Sequence, residues 1–418
     1  MNPWETDAEP EGFAALAAAG WPASRAAALA RLHAFADRAG RAYAARRNFD
    51  WGPGRHTAVS GLSPYVRPRL IAEEELAAAA LARHGWVAAE KFVQEVCWRT
   101  YWKGWLEQHP GVWAAYRAQC AEAESRRAAD RAFARRLARA EAGETGLEAF
   151  DVWARELAET GYLHNHARMW FASVWIFTLG LPWVLGAELF LRRLLDGDPA
   201  SNTLSWRWVA GLHTRGKTYL ARADNIAAYT EGRLHPSAGQ LAATAPPLDE
   251  VAAPVRGPLP KGDATPGGRR ILWLVTEEDL TPELWALDPA RAVGAALLAP
   301  QPCPGEGEIV SRFRADALAD ARARLAAIPG LSPVSIRSAR ELADLAHARG
   351  AEALATPYIP VGPTRDRLAD WAPVLEAAGL SLAQVQRPWD QAFWPHARAG
   401  FFQLKARMPK VLGELDLL

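Results

Sequence analysis

LLDGDPASNTLSWRWVAG, residues 194–211, sets Asp196, Asp198 and Asn202 just ahead of two indoles, Trp206 and Trp208. A carboxylate pair suggests a metal, or an acid and a base. An indole pair suggests stacking or electron traffic. The aspartates stand at i, i+2 without the ligand-rich continuation of an EF-hand, so no calcium loop is expected. Choosing among the other readings takes the surrounding chain.

At 418 residues the chain is long enough for two domains, each with its own core. Lysine and arginine number 48 against 47 acids, so no global basic field advertises nucleic acid. Nineteen tryptophans point to packing or recognition. Cys97, Cys120 and Cys303 are widely spaced, which suits a reducing cytoplasm and forms no zinc pattern. No metal is expected, and MNPWETDAEPEG is not a signal peptide. Residues 169–187, MWFASVWIFTLGLPWVLGA, are uncharged and long enough to span a bilayer. Gly180 and Pro182 split the run, however, and Trp175 would lie near mid-membrane. A buried core helix is predicted there, with no membrane partner.

Residues 1–240 read as helical: SRAAALARLHAFADRAGRAYAARR, residues 24–47, spaces its apolar positions by three and four. Residues 241–268 are rich in proline and glycine, the composition of a flexible linker. In residues 269–418 the rhythm changes. RRILWLVT, AVGAALLAP, SPVSIRS, AEALATPYIP and LSLAQVQ read as strands, with DALADARARLAAI, ARELADLAHARG and RDRLADWAPVLEAAG as helices between them. That alternation predicts a doubly wound parallel sheet, so the fold class is α plus α/β. No GxGxxG follows the first strand, and the sheet half has no dinucleotide fingerprint.

Three further blocks carry chemistry. In VSGLSPYVRPRLIAEEEL, residues 59–76, Ser63 and Pro64 suit the cap and first turn of a helix. With Ser60 and Gly61 they offer a seat for a diphosphate, or simply a capped helix. In QEVCWRTYWKGW, residues 94–105, Glu95, Trp98 and Trp102 share a helical face, and Arg99 lies one turn beyond Glu95. A tryptophan stripe is ordinarily core; the acid on that face is the oddity. In TGYLHNHARMW, residues 160–170, His164 and His166 at i, i+2 face apart on a helix, so a zinc pair is not expected.

In order, RRNFD, SGLSPY, EVCWRTYW, TGYLHNHARM and LLDGDPASNTLSWRW resemble the flavin-binding domain of the DNA photolyase and cryptochrome family, over residues 20–235. The resemblance implies FAD as cofactor. Ser60, Leu62 and Ser63 would cradle its diphosphate, with Arg99 near the phosphates and Tyr43 at its outer face. Asn202 matches the position facing flavin N5. Arg168 and Asp196 match a charge pair beside the ring, and Asp198 lines the same pocket. Trp206 and Trp183 match the proximal and middle members of a chain that photoreduces the flavin. Glu95, Trp98, Asn165, Met169 and Trp208 match a pocket for a flipped cyclobutane pyrimidine dimer, with stacking by Trp98 and Trp208.

What the resemblance implies is a blue-light photo-lyase acting on damaged DNA, expected to be monomeric and cytoplasmic. A cryptochrome-like photoreceptor, or another flavoprotein on the same fold, is the alternative. Residues 269–418 resemble the family's antenna domain, which in the family comes first, so the order implies a circular permutation and leaves open a second chromophore of folate or deazaflavin type. There are departures. Val59 and Gly61 alter the phosphate-binding block, His166 replaces an arginine, and Leu204–Ser205 replace a glycine pair. The distal tryptophan of the electron chain has no counterpart in ESRRAADRAFARRLARA.

Overall fold

The computed structural model describes residues 21–249 and 254–418; the acidic start MNPWETDAEPEG lies outside the described residues. The helices begin with α1 (Arg25–Ala36), α2 (Arg41–Arg46) and the four-residue α3 (Ser63–Val66). The central element is α4 (Glu73–Gln108), which bends at Gly85 (φ 66°, ψ 168°), a conformation that favours glycine. Around it lie α5 (Pro110–Ala129), α6 (Arg131–Ala142), α7 (Glu148–Thr160), α8 (Asn165–Ser173), α9 (Trp183–Arg193), α10 (Pro199–Val209) and α11 (Ala223–Tyr229).

The uncharged run at 169–187 is not one helix. It leaves α8 through a π-helical turn, Val174–Thr178, breaks at Gly180 and Pro182, and resumes as α9. Trp175 is fully buried and donates to the Pro182 carbonyl at 2.9 Å, which ties the break together. Among the described residues no helix is long and apolar enough to cross a membrane.

All five strand runs read from the sequence form strands: β1 (Ile271–Val275), β2 (Ala292–Leu298), β3 (Val334–Ile336), β4 (Ala353–Pro357) and β5 (Leu382–Val385). They pair in parallel, in the order β3-β2-β1-β4-β5. β1 is buried at every position, which is why ILWLV shows no polar alternation. Trp273 is in register with Ala295 on one side and Ala355 on the other, so small residues make room for its indole.

The strand period of two sends side chains to two separate cores. Ile271, Trp273 and Val275 join the core of the helical region, together with Phe313 of α12 (Glu308–Ala326). Leu272 and Leu274 instead meet Leu342 of α13 (Ala339–Ala348), Leu368 of α14 (Pro363–Ala369) and Leu375 of α15 (Ala372–Ala377). The long predicted helix RDRLADWAPVLEAAG is therefore two helices, divided at Asp370–Trp371 ahead of Pro373.

Buried charge joins the two regions. Arg69 reaches Asp390 of α16 (Pro388–Phe393) at 2.7 Å and Glu73 at 3.1 Å. Arg387 reaches Asp279 at 2.6 Å and Glu74 at 2.8 Å. Glu107, at the end of α4, accepts from the Tyr358 hydroxyl and the Val361 amide at 2.7 Å each. On either side of residues 250–253, the proline-rich stretch meets the body of the protein: the amides of Leu248, Gly257 and Asp263 donate to the carbonyls of Ala210, Gln108 and Gln384.

Candidate functional site

Asp198 starts α10. One of its oxygens accepts from the Ser201 amide at 2.7 Å, the bond of an N-cap, and Pro199 opens the first turn. From that cap, Asn202 and Trp206 follow at successive four-residue steps, so all three lie on one helix face. The other Asp198 oxygen lies 3.4 Å from Lys103 Nζ and 3.7 Å from Arg99 Nη1 on α4. Burial works to raise the Asp198 carboxyl, but Lys103, Arg99, Arg67 and the Ser201 amide together hold it well below the usual carboxylate range. It is a fixed anion.

Asp196, two residues earlier, receives Arg168 Nη2 at 2.9 Å. Burial opposes ionisation here too, and Arg168 outweighs it, so this carboxyl is also held low. Arg168 is oriented by its bond to the Leu163 carbonyl at 2.9 Å and lies over the Tyr162 ring. Asn202 donates to the Ala187 carbonyl of α9 at 2.8 Å. Trp206 is buried between α8 and α9, edge-on to Phe190 at 5.1 Å, and a Cβ on Gly186 would collide with its indole.

Several polar atoms around this face lack a hydrogen-bond partner although buried: Asp196 Oδ1, Asp198 Oδ2, Arg99 Nη1, Ser201 Oγ and Trp206 Nε1. Buried polar groups in native proteins are nearly always satisfied. A cluster of unmet donors and acceptors, both charges among them, suits a ligand carrying anionic oxygens and an edge of donors and acceptors. FAD has both.

The remaining predicted residues have more varied placements. Ser63 is the first residue of α3 rather than its cap, a place held by Leu62, which is buried. Ser60 Oγ accepts from the Leu62 amide at 3.3 Å. Tyr43 lies in the core, edge-on to Phe35 and Phe92. Trp183 is buried against Tyr116 at 5.6 Å.

The predicted lesion pocket is partly occupied by the protein itself. Glu95 is paired with Arg47 at 2.8 Å. Trp98 stacks on Phe401 of α17 (Phe401–Glu414), with ring centroids 3.7 Å apart and planes within 11°. One indole face is thereby taken. Trp208 is half-buried and stacks on Tyr219 at 5.7 Å; Asn165 is exposed and Met169 half-buried.

His164 and His166 have separate partners. His164 takes the Arg47 carbonyl and the His166 amide, whereas His166 takes the Asn48 carbonyl and the Tyr219 hydroxyl. Among the described residues no group of His, Cys, Asp or Glu is arranged to hold a metal.

Sequence reasoning missed Lys103, Arg67 and Arg47. Lys103 was within reach: it stands four residues after Arg99 on the same helical face. Arg47 and Phe401 come from distant chain segments, and no local pattern announces them.

Residues 92–233 match the family model described as the FAD binding domain of DNA photolyase. Over these residues the chain is similar to the FAD-binding domain of DNA photolyases. The deoxyribodipyrimidine photo-lyase of Streptomyces griseus is 35% identical over 182 residues, 40% of this chain and 38% of its own. One from Thermus thermophilus is 36% identical over 203 residues, 46% of this chain and 44% of its own. The chain thus spans about two fifths of the length of the curated relatives it matches. A solved bacterial class III photolyase from Agrobacterium tumefaciens covers 51% of this chain and 42% of its own at 26% identity, with a TM-score of 0.38. The matched photolyase segment holds Arg99, Arg168, Asp196, Asp198, Asn202 and Trp206; Tyr43 and the Ser60–Ser63 block lie before it.

Proposed function

We propose that this protein is a blue-light-driven flavoenzyme that splits cyclobutane pyrimidine dimers in DNA. Bound FAD would supply the light-absorbing electron donor. The observation that carries the reading is the Arg168–Asp196 pair at 2.9 Å with an unmet Asp196 oxygen, set beside the Asp198, Asn202 and Trp206 face. Arg99 and Ser63 would hold the diphosphate, with Ser60 and Leu62 shaping the backbone around it and Tyr43 packing the outer wall. Arg168 and Asp196 would bracket the ring, and Asn202 would present a neutral amide to it. Glu95 would hydrogen-bond a pyrimidine carbonyl, an interaction that strengthens as the dimer gains charge. Trp98 and Trp208 would stack on the bases, while Asn165 and Met169 would line the rim.

The order of the two regions supports the reading of a circular permutation, with the sheet region docked through Arg69, Arg387 and Glu107 although it follows the helical one. A second chromophore remains part of this reading, without assigned residues.

The Trp98–Phe401 stack favours a second reading, a flavin photoreceptor without repair. One assay separates the two: the purified, reduced protein is mixed with a thymine-dimer oligonucleotide in blue light and in the dark. Light-dependent return of intact thymines supports repair. Flavin photochemistry with no repair supports the photoreceptor.

A further inference from the structure

The electron chain implied by Trp206 and Trp183 lacks a distal tryptophan in the expected segment, yet the structure continues past Trp183. Trp206 packs on Gly186, and Trp183 stands one turn back along the same helix. The Trp183 ring is 5.6 Å from that of Tyr116 on α5. Tyr116 is buried, and its hydroxyl donates to Glu188 Oε2 at 2.8 Å. Glu188 also faces Arg117 at 3.4 Å and lies near Cys120 Sγ at 3.9 Å. It lines a cavity of about 460 Å³ between the helices and the carboxyl ends of the strands.

We propose that Tyr116 is the terminal electron donor of this chain and that Glu188 takes its proton. The proposal rests on the flavin reading above. A phenol gives up an electron readily only when its proton can leave at the same time. A carboxylate in hydrogen-bond contact provides that acceptor, and a buried tyrosine without one is inert. When an electron moves inward through Trp206, Trp183 is left one electron short. Tyr116 returns that electron, its O–H bond breaks, and the proton forms a new O–H bond on Glu188 Oε2. The products are neutral Trp183, a neutral tyrosyl radical and a protonated Glu188. A thiolate reductant arriving through the cavity supplies one electron, the proton goes back from Glu188, and the pair is restored.

Trp113 is the competing donor. It lies 5.3 Å from Tyr116, with its indole N–H given to Asp366 at 2.8 Å. Trp113 and Glu188 both line the cavity, and Tyr116 comes first on the path.

The test is electron paramagnetic resonance of the FAD-loaded, full-length protein frozen under blue light, with flavin content measured on every sample. The wild type should show a tyrosyl signal that narrows when ring-deuterated tyrosine is incorporated. Tyr116→Phe keeps the ring and should abolish the signal. Glu188→Gln keeps the hydrogen-bond contact but cannot accept the proton, and should lower the radical yield by about tenfold or more. Trp113→Phe should leave the signal in place. A tyrosyl signal that survives Tyr116→Phe, or a radical lost in Trp113→Phe but not in Tyr116→Phe, overturns the assignment while the flavin reading stands. Protein that takes up no FAD overturns both.

Discussion

Arg168 Nη2 lies 2.9 Å from Asp196, whose other carboxylate oxygen is buried without a partner. Two residues on, Asp198 commits one oxygen to capping α10 and shares the other between Lys103 and Arg99. The segment between Leu194 and Trp208 is thus a wall of fixed charge ending in an indole, neither a calcium loop nor an acid–base pair. The cations around Asp198 are too near to let it take up a proton at neutral pH.

Removing the Asp198 charge should therefore be costly. In Asp198→Ala, Lys103 and Arg99 become buried cations without their anion, and the helix loses its cap. A loss of about 3–5 kcal/mol is expected from breaking such a buried pair. Urea denaturation of flavin-free protein measures it. Loss below about 1 kcal/mol, the size of an exposed pair, would show that solvent reaches the site.

His164 is expected to make the fold acid-sensitive. Its Nε2–H donates to the Arg47 carbonyl and its Nδ1 accepts from the His166 amide, so the neutral ring is fully used. Burial, with His56 beside it, pulls its pKa down to about 3. The unfolded chain, where histidine titrates near about 6.5, then binds the extra proton first as pH falls. Stability is complete above about pH 6.5 and declines toward about pH 3, by up to about 1.4 kcal/mol per pH unit for this one group. His164→Asn should flatten that slope in denaturation curves recorded between about pH 7 and pH 4.5. An unchanged slope would place the acid sensitivity elsewhere.

Trp206→Phe should slow photoreduction of oxidised flavin far more than repair by chemically pre-reduced protein. The indole is buried and edge-on to Phe190, where phenylalanine keeps most of the packing. Transient absorption and the repair assay on one preparation give the comparison. Equal losses would mean that Trp206 acts mainly by holding α8, α9 and α10 together.

Trp98→Ala should cost both stability and dimer affinity. The stack on Phe401 is worth about 0.5–1.5 kcal/mol beyond area burial, and a lost base stack about 1–3 kcal/mol of binding. Phe401→Leu separates the two roles, since it removes the ring stack while leaving Trp98 for DNA. It should lower the melting temperature without lowering dimer affinity. A fall in affinity equal to that of Trp98→Ala would assign the stack itself to the lesion site.

The parts of the structure legible in sequence are those with a local cause. The five strands are readable because short apolar runs alternate with amphipathic helices, and their parallel order follows from that alternation. The Asp198, Asn202 and Trp206 face follows from four-residue spacing. The break at Gly180–Pro182 is visible in the sequence, but its π-helical turn is not, because it depends on how Trp175 packs. Ser63 looks like a cap and is instead the first residue of α3, behind Leu62. Glu95 with Arg47 and Trp98 with Phe401 are pairs brought together from distant segments. Pairings across the fold carry no signature in either segment alone.

The face running from Asp196 through Asp198 and Asn202 to Trp206 is proposed to hold FAD. The most direct measurement is to denature the purified protein, identify the chromophore released, and count it per chain, then repeat this for Asp196→Ala and Arg168→Ala. About one FAD per chain is expected in the wild type, with a marked loss in both variants while each remains folded. A colourless wild type that takes up no FAD on reconstitution, or full flavin content in both variants, would contradict it.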